Sequence, residues 1–169
     1  MSHIPPFYRI FFLYIDPLIC LSGIYLSLFD QPTFLLNGVP SRLLPTYPSG
    51  TSQEEHPNGD PLISHFLFSI GSYSIGILSL QILLLHQVKD APAGLNVKIW
   101  KILEFAILLV DLGLLAAGGV SVDASRRTEE AWGVGSWTSG DWTNNGILGA
   151  VALIRTAFLL NVGGVGRTK

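Results

Sequence analysis

Residues 97–122 read VKIWKILEFAILLVDLGLLAAGGVSV, and this stretch decides the class of fold. An α-helix rises about 1.5 Å per residue, so a run of this length crosses the roughly 30 Å hydrocarbon core of a bilayer. Two carboxylates, Glu104 and Asp111, nevertheless lie within it. Ionisable groups are costly at membrane depth. The stretch therefore predicts a transmembrane helix whose polar side faces protein rather than lipid.

Three further stretches have the length and apolar character of membrane spans, and we place them at Tyr8–Phe29, Leu62–Val88 and Gly146–Gly164. The chain is 49% hydrophobic and only 13% charged, whereas soluble domains carry about a quarter charged residues. These features predict an all-α bundle of four transmembrane helices. It forms one membrane domain, residues 1–169, with outer loops at 30–61 and 123–145.

The basic residues predict the orientation of the bundle. With both termini in the cytosol, the outer loops hold three basic residues, Arg42, Arg126 and Arg127, while the inner side holds six. Cytosolic loops carry the excess of Lys and Arg in membrane proteins, so we expect both termini there. The first span contains Asp16 and Pro17 without a cleavage pattern behind them, so we expect it to be retained. The endoplasmic reticulum membrane is the default location.

Charged residues in three of the four spans fall at a similar depth. Counted from the cytosolic side, Asp16, Glu104, Asp111 and Arg155 lie in the inner half to the middle of the bilayer, and Gln81 lies near them. Glu104 and Asp111 are seven residues apart, hence on nearly the same helix face. We expect Arg155 to pair with at least one carboxylate, because its planar guanidinium can hold two oxygens at once.

Two interpretations of these residues stay open from the sequence. A buried Arg–Asp pair can simply set the register of the bundle. Three acids against one base leave an excess, however, and an uncompensated buried carboxyl group tends to stay protonated. Such a group can protonate an alkene, epoxide or carbonyl. The candidate catalytic residues are accordingly Asp16, Glu104, Asp111 and Arg155.

Other kinds of site find little support. No helix carries a recognised metal-ligand spacing, so we expect neither a metal ion nor a cofactor. The net charge of −2 without a basic patch indicates no nucleic-acid partner. His65 and His86, near opposite ends of the second span, are expected to be interfacial rather than catalytic. Tryptophans in the second outer loop are expected to anchor in the headgroups; they are Trp132, Trp137 and Trp142.

Two features predict how the helices are shaped and packed. Pro17 removes a backbone hydrogen bond in the middle of the first span, so we expect a kink there. The carbonyl that it frees near Asp16 must find a partner inside the protein. In the second span, small residues form a stripe that predicts close helix packing. The stripe is Ser69, Ser72, Gly76 and Ser79, and Gly113, Ala117 and Gly118 offer the same in the third span.

The opening segments IPPFYR (residues 4–9) and FLYIDP (residues 12–17) resemble those of a family of small, four-span fungal membrane proteins of unassigned function. The later pieces Asp141-Trp142, Arg155 and Phe158-Leu159 are similar as well, so the resemblance covers nearly the whole chain. It implies a fungal source, with members among genes for secondary metabolites. In architecture alone, the chain is similar to the emopamil-binding and sigma-2 group, which holds sterol-like ligands in an intramembrane pocket and includes double-bond isomerases.

Three functions follow as expectations. The first is an accessory component of a fungal lipid or secondary-metabolite pathway, in which the buried charges only hold the helices together. The second is an intramembrane cyclase or isomerase that acts on a terpenoid-like or sterol-like metabolite by general acid catalysis. The third is a small transporter subunit that uses the acids as a relay. The expected partners are the lipid bilayer, a lipophilic small molecule and other membrane enzymes of a pathway.

Overall fold

A computed structural model describes residues 4–38, 61–92, 94–124 and 142–166. Helices account for most of these residues, and the described ranges contain no strand. The helices are α1 (Pro6–Phe29), α2 (Gln31–Gly38), α3 (Pro61–Val88), α4 (Leu95–Ala124) and α5 (Ile147–Leu159). A π-helical turn, Trp142–Gly146, leads into α5. The predicted all-α class is confirmed.

Two helices are long and apolar enough to cross a membrane, namely α1 and the part of α3 from Ile63 to Val88. Only 33% and 22% of their apolar windows are buried within the protein. A core helix of a soluble protein would be mostly buried, so these exposed apolar surfaces support a membrane location. The other two predicted spans fall on α4 and on the shorter α5, and the four-span topology stays a prediction.

The first and last parts of the described chain meet at one end of the bundle. The Tyr8 hydroxyl donates a hydrogen bond to the Val162 carbonyl oxygen at 3.2 Å. Arg9 lies 3.2 Å from the Asp90 carboxylate in the turn between α3 and α4. Successive long helices therefore run antiparallel, with the start of α1, the α3–α4 turn and the end of α5 on the same side.

A π-helical turn, Phe11–Ile15, interrupts α1 just before Pro17. The Asp16 N–H bonds to the Phe11 carbonyl, and Pro17 has no N–H to offer. The Phe12 carbonyl is thus without its usual helical donor. The Gln81 side chain on α3 replaces that donor, with Nε2 3.1 Å from the Phe12 oxygen. The prediction that the freed carbonyl finds a partner inside the protein is confirmed.

Helices α1 and α3 pack tightly at Gly71. A Cβ atom there would lie 2.6 Å from Leu28 Cδ2 and 2.7 Å from Ser27 Oγ. The predicted small-residue stripe lies on a different face of α3, where Gly76 and Ser79 are exposed. Nothing in the described ranges lies within 4 Å of a Cβ built on Gly76. The packing face was therefore predicted wrongly, because small-residue spacing does not say which face meets a neighbour.

Helix α5 ends at Leu159, short of the predicted span end at Gly164. Asn161 has a φ of 64° and Gly163 a φ of 77°, so the backbone leaves the right-handed helical region. Lys101 of α4 binds this end of α5: its Nζ donates to the Leu159 carbonyl oxygen at 3.1 Å and to the Asn161 side-chain oxygen Oδ1 at 2.6 Å.

The predicted outer loops are only partly covered by the structure. The first begins with α2, which the sequence analysis did not predict. The remainder of that loop lies outside the described residues. In the second outer loop, Trp132 and Trp137 also lie outside them, and Trp142 opens the π-helical turn before α5.

Candidate functional site

The Arg155 guanidinium binds three carboxylates from two other helices. Its Nε donates to Glu104 Oε2 at 3.0 Å, and its Nη2 donates to Asp16 Oδ2 at 2.6 Å. Its Nη1 donates to Asp111 Oδ2. We call these four residues the Arg155 cluster. The prediction that Arg155 pairs with at least one carboxylate is confirmed, and all four candidate residues lie together.

The position of each residue in its helix explains how the cluster forms. Glu104 and Asp111 lie two turns apart on the inward face of α4, and Arg155 of α5 reaches both. Asp16 begins the α-helical part of α1 that follows the π-helical turn. The planar guanidinium carries its N–H donors in a fixed fork, which suits three acceptors placed around it.

Gln81 brings the remaining long helix into this arrangement. Its amide nitrogen donates to Asp16 Oδ2 at 2.6 Å as well as to the Phe12 carbonyl. An amide NH2 has two hydrogens, so both bonds can be made at once. Polar contacts therefore connect α1, α3, α4 and α5 at one level of the bundle.

All members of the cluster are withdrawn from the surface. Glu104 is fully buried, and the exposed fractions of Arg155 and Asp111 are 3% and 6%. Charges in a low-dielectric interior interact strongly, and removing one partner leaves the others uncompensated. The cluster holds three acids and one base, so the excess of acid predicted from the sequence is concentrated at a single site.

Aromatic side chains lie between the cluster and the end of the bundle that holds the α3–α4 turn. Phe12, Trp100 and Phe158 are all fully buried. The Phe158 ring centroid lies 5.2 Å from that of Phe12 and 6.4 Å from that of Trp100. Tyr8 adds a ring 5.1 Å from Phe158. This aromatic layer separates the charges from the nearer end of the bundle.

One atom of the Arg155 cluster and one atom of the aromatic layer lack hydrogen-bond partners within the described part of the chain. They are Oε1 of Glu104 and Nε1 of Trp100, and both are buried. Sequence reasoning missed Trp100. The available signal was its position four residues before Glu104 in the same helix, which places both side chains on one face.

The remaining titratable candidates lie away from the cluster. His65 and His86 are both exposed, and His86 Nε2 lies 3.3 Å from Lys89 Nζ rather than near Glu104. The described residues contain no group of three or more His, Cys, Asp or Glu side chains placed to hold a metal ion. The three carboxylates instead surround a guanidinium.

Comparison with known proteins gives one relationship. No curated protein and no solved structure matches the chain. A family model described as "Domain of unknown function (DUF7704)" matches residues 1–165, nearly the whole sequence. The match includes Asp16, Glu104, Asp111 and Arg155. The chain is therefore a member of the DUF7704 family.

Proposed function

We propose that this protein is a four-span membrane protein that acts as a non-catalytic accessory component of a fungal lipid or secondary-metabolite pathway. The observation that carries the non-catalytic role is the use of Arg155, whose three nitrogens each bind a different carboxylate. A guanidinium engaged in this way joins helices. The pathway is suggested by the resemblance of the opening segments to fungal membrane proteins.

The lengths of the helices, the directions of their side chains and the positions of the chain ends support four spans. Helix α4 has 30 residues, equivalent to about 45 Å, and its two acids face the bundle. Apolar side chains face outward on α4 and α5, including Ile102 and Leu153 at 70% and 72% exposed. The described chain begins and ends on one side of the bundle. A cytosolic location of both termini agrees with the basic residues, and we place the protein in the endoplasmic reticulum membrane.

Gene deletion with complementation tests the proposed role. Lipid-soluble metabolites of the deletion strain are compared with those of strains that carry the wild-type gene, Arg155→Ala, Glu104→Gln, or Leu153→Ala as the outward-facing control. For an accessory component, metabolite levels should follow the amount of folded protein in the membrane. Leu153→Ala should complement fully. No change in any metabolite after deletion would contradict a role in such a pathway.

A second candidate is an intramembrane cyclase or isomerase that uses a general acid on a terpenoid-like or sterol-like substrate. The specific observation in its favour is Glu104 Oε1, an acidic oxygen that is buried beside two further acids and has no partner among the described residues. Asp16, Glu104 or Asp111 would supply the proton, while Arg155 holds the remaining acids.

The two candidate functions differ in how replacing one buried acid with its amide affects product formation and protein abundance. In the enzyme, Asp16→Asn, Glu104→Gln or Asp111→Asn should abolish product while membrane abundance and melting temperature stay near wild type. In the accessory protein, these variants should lose function only as far as they lose abundance. A single intermediate that accumulates in one stable variant would establish the catalytic role and reveal the substrate.

A further inference from the structure

Trp100 and Glu104 present a complementary pair of unpartnered atoms. The indole Nε1–H can only donate a hydrogen bond, and a carboxylate oxygen accepts one. Both side chains are fully buried, and neither atom has a partner among the described residues. Leaving a buried polar group without a partner destabilises a protein. Two such groups of opposite character, one helical turn apart, suggest that something polar connects them.

The positions of the two side chains support this connection. Residues four apart in a helix share a face, so Trp100 and Glu104 follow one another along the same side of α4. Both also meet α5 at adjacent turns. Glu104 binds Arg155, and the Trp100 ring lies beside that of Phe158, three residues further on. The two unpartnered atoms thus belong to the same α4–α5 seam.

We propose that this seam binds one hydroxyl group, which accepts a hydrogen bond from Trp100 Nε1 and donates one to Glu104 Oε1. A hydroxyl oxygen suits the site because it both accepts and donates, as the two neighbours require. Its source is either a water molecule or the hydroxyl of a lipophilic alcohol. Buried waters satisfy polar groups of this kind in many proteins, typically with about three hydrogen bonds.

The site adjoins the charged cluster through a single side chain. Glu104 Oε2 accepts from Arg155 Nε, while Oε1 faces the hydroxyl. The bound group would therefore lie next to the acids and be shielded by the aromatic layer. This assignment concerns binding alone.

Indole spectroscopy tests the assignment. The chain has four tryptophans, so Trp132→Phe, Trp137→Phe and Trp142→Phe together leave Trp100 as the single indole. The full chain, labelled with ¹⁵N at the indole, is placed in deuterated lipid nanodiscs for NMR. We expect a cross-peak between the indole proton and a water proton. When a protonated sterol is added, transfer of that cross-peak to the sterol hydroxyl would identify the alcohol as the occupant.

Variants connect the signal to Glu104. Glu104→Gln keeps one oxygen for Arg155 Nε and turns its NH2 toward the hydroxyl, whose oxygen can accept from both this amide and the indole, so the cross-peak should be retained at a shifted indole frequency. Glu104→Leu should lose it. Phe105→Leu, on the exposed side of α4, is the control and should leave the signal unchanged. If Glu104→Leu does not fold, the Glu104→Gln frequency shift still tests the contact. A cross-peak from the indole proton to Glu104 itself, or none to any hydroxyl, would overturn the proposal.

Discussion

The geometry of the Arg155 side chain matters more than its charge. Lysine would supply the same charge as a compact ammonium, but it lacks the fixed fork that holds three carboxylates in different directions. We therefore expect Arg155→Lys to lower the melting temperature in detergent, and Arg155→Ala to lower it further. Breaking a buried ion pair costs about 3–5 kcal/mol. Leu153→Ala, on the exposed side of the same helix, should have a much smaller effect.

The cause of that loss can be separated from simple loss of packing. If uncompensated acids destabilise Arg155→Ala, then removing the acids too should restore stability. The combined variant is Arg155→Met with Asp16→Asn, Glu104→Gln and Asp111→Asn. Its melting temperature should exceed that of Arg155→Ala. An equally unstable combined variant would mean that the charges are not responsible.

The pairing of Arg155 could be predicted from the sequence, but the set of partners could not. Counting residues from a membrane boundary estimates the depth of a side chain, and three acids at similar depth made a pair with Arg155 the expected outcome. Depth does not define how each helix is rotated about its axis. That three carboxylates converge on one guanidinium, and that Trp100 lies beside them, depends on this rotation and required the structure.

Among the helices, Pro17 and Gln81 both determine how the Phe12 carbonyl is satisfied, so we expect their effects on stability to be coupled. Gln81→Leu removes the donor to the Phe12 carbonyl and to Asp16, so it should destabilise the protein. In a Pro17→Ala background the backbone regains an N–H, which can satisfy a carbonyl of the preceding turn. In that background, Gln81→Leu should lower the free energy of unfolding by less than it does in the wild-type protein. We expect a coupling of about 0.5–3 kcal/mol in a double-mutant cycle of detergent unfolding. Additive losses would argue against a shared carbonyl.

Two glycines of α3 provide a matched test of helix packing. Gly71→Ala places a methyl group 2.6 Å from Leu28 Cδ2 and 2.7 Å from Ser27 Oγ, so either these side chains must shift or α1 and α3 must separate. Overpacking of this kind typically costs about 1–3 kcal/mol. Gly76→Ala meets open space and replaces a poor helix former, so it should be neutral or stabilising. Thermal unfolding in detergent compares them, and equal effects would contradict the assigned contact face.

Helix positions were predicted more reliably than helix faces. The predicted spans overlap α1, α3, α4 and α5, because a long apolar run has few stable structures other than a helix. The small-residue stripe was assigned to packing although Gly71, on another face, makes the close approach. The end of α5 was also missed, since it depends on the left-handed conformation of Asn161 and on capping by Lys101 from another helix.

At the scale of the whole molecule, the topology can be tested by cysteine labelling. Cys20→Ser provides a cysteine-free background, into which single cysteines are introduced at Ser2, Thr51, Asp90 and Thr168. With four spans and cytosolic termini, an impermeant maleimide should reach positions 2, 90 and 168 from the cytosol. Position 51 should react only after the membrane is permeabilised. Labelling of position 51 in sealed microsomes would contradict the topology.

The order of the charges along the chain has a consequence for biosynthesis. All three acids precede Arg155, so a nascent chain that inserts its helices in sequence carries them without a counter-charge until the last helix leaves the ribosome. During that interval the early helices must keep their acids near water or the translocon. A chain that terminates before α5 would retain this defect permanently and become a natural target for membrane-protein degradation.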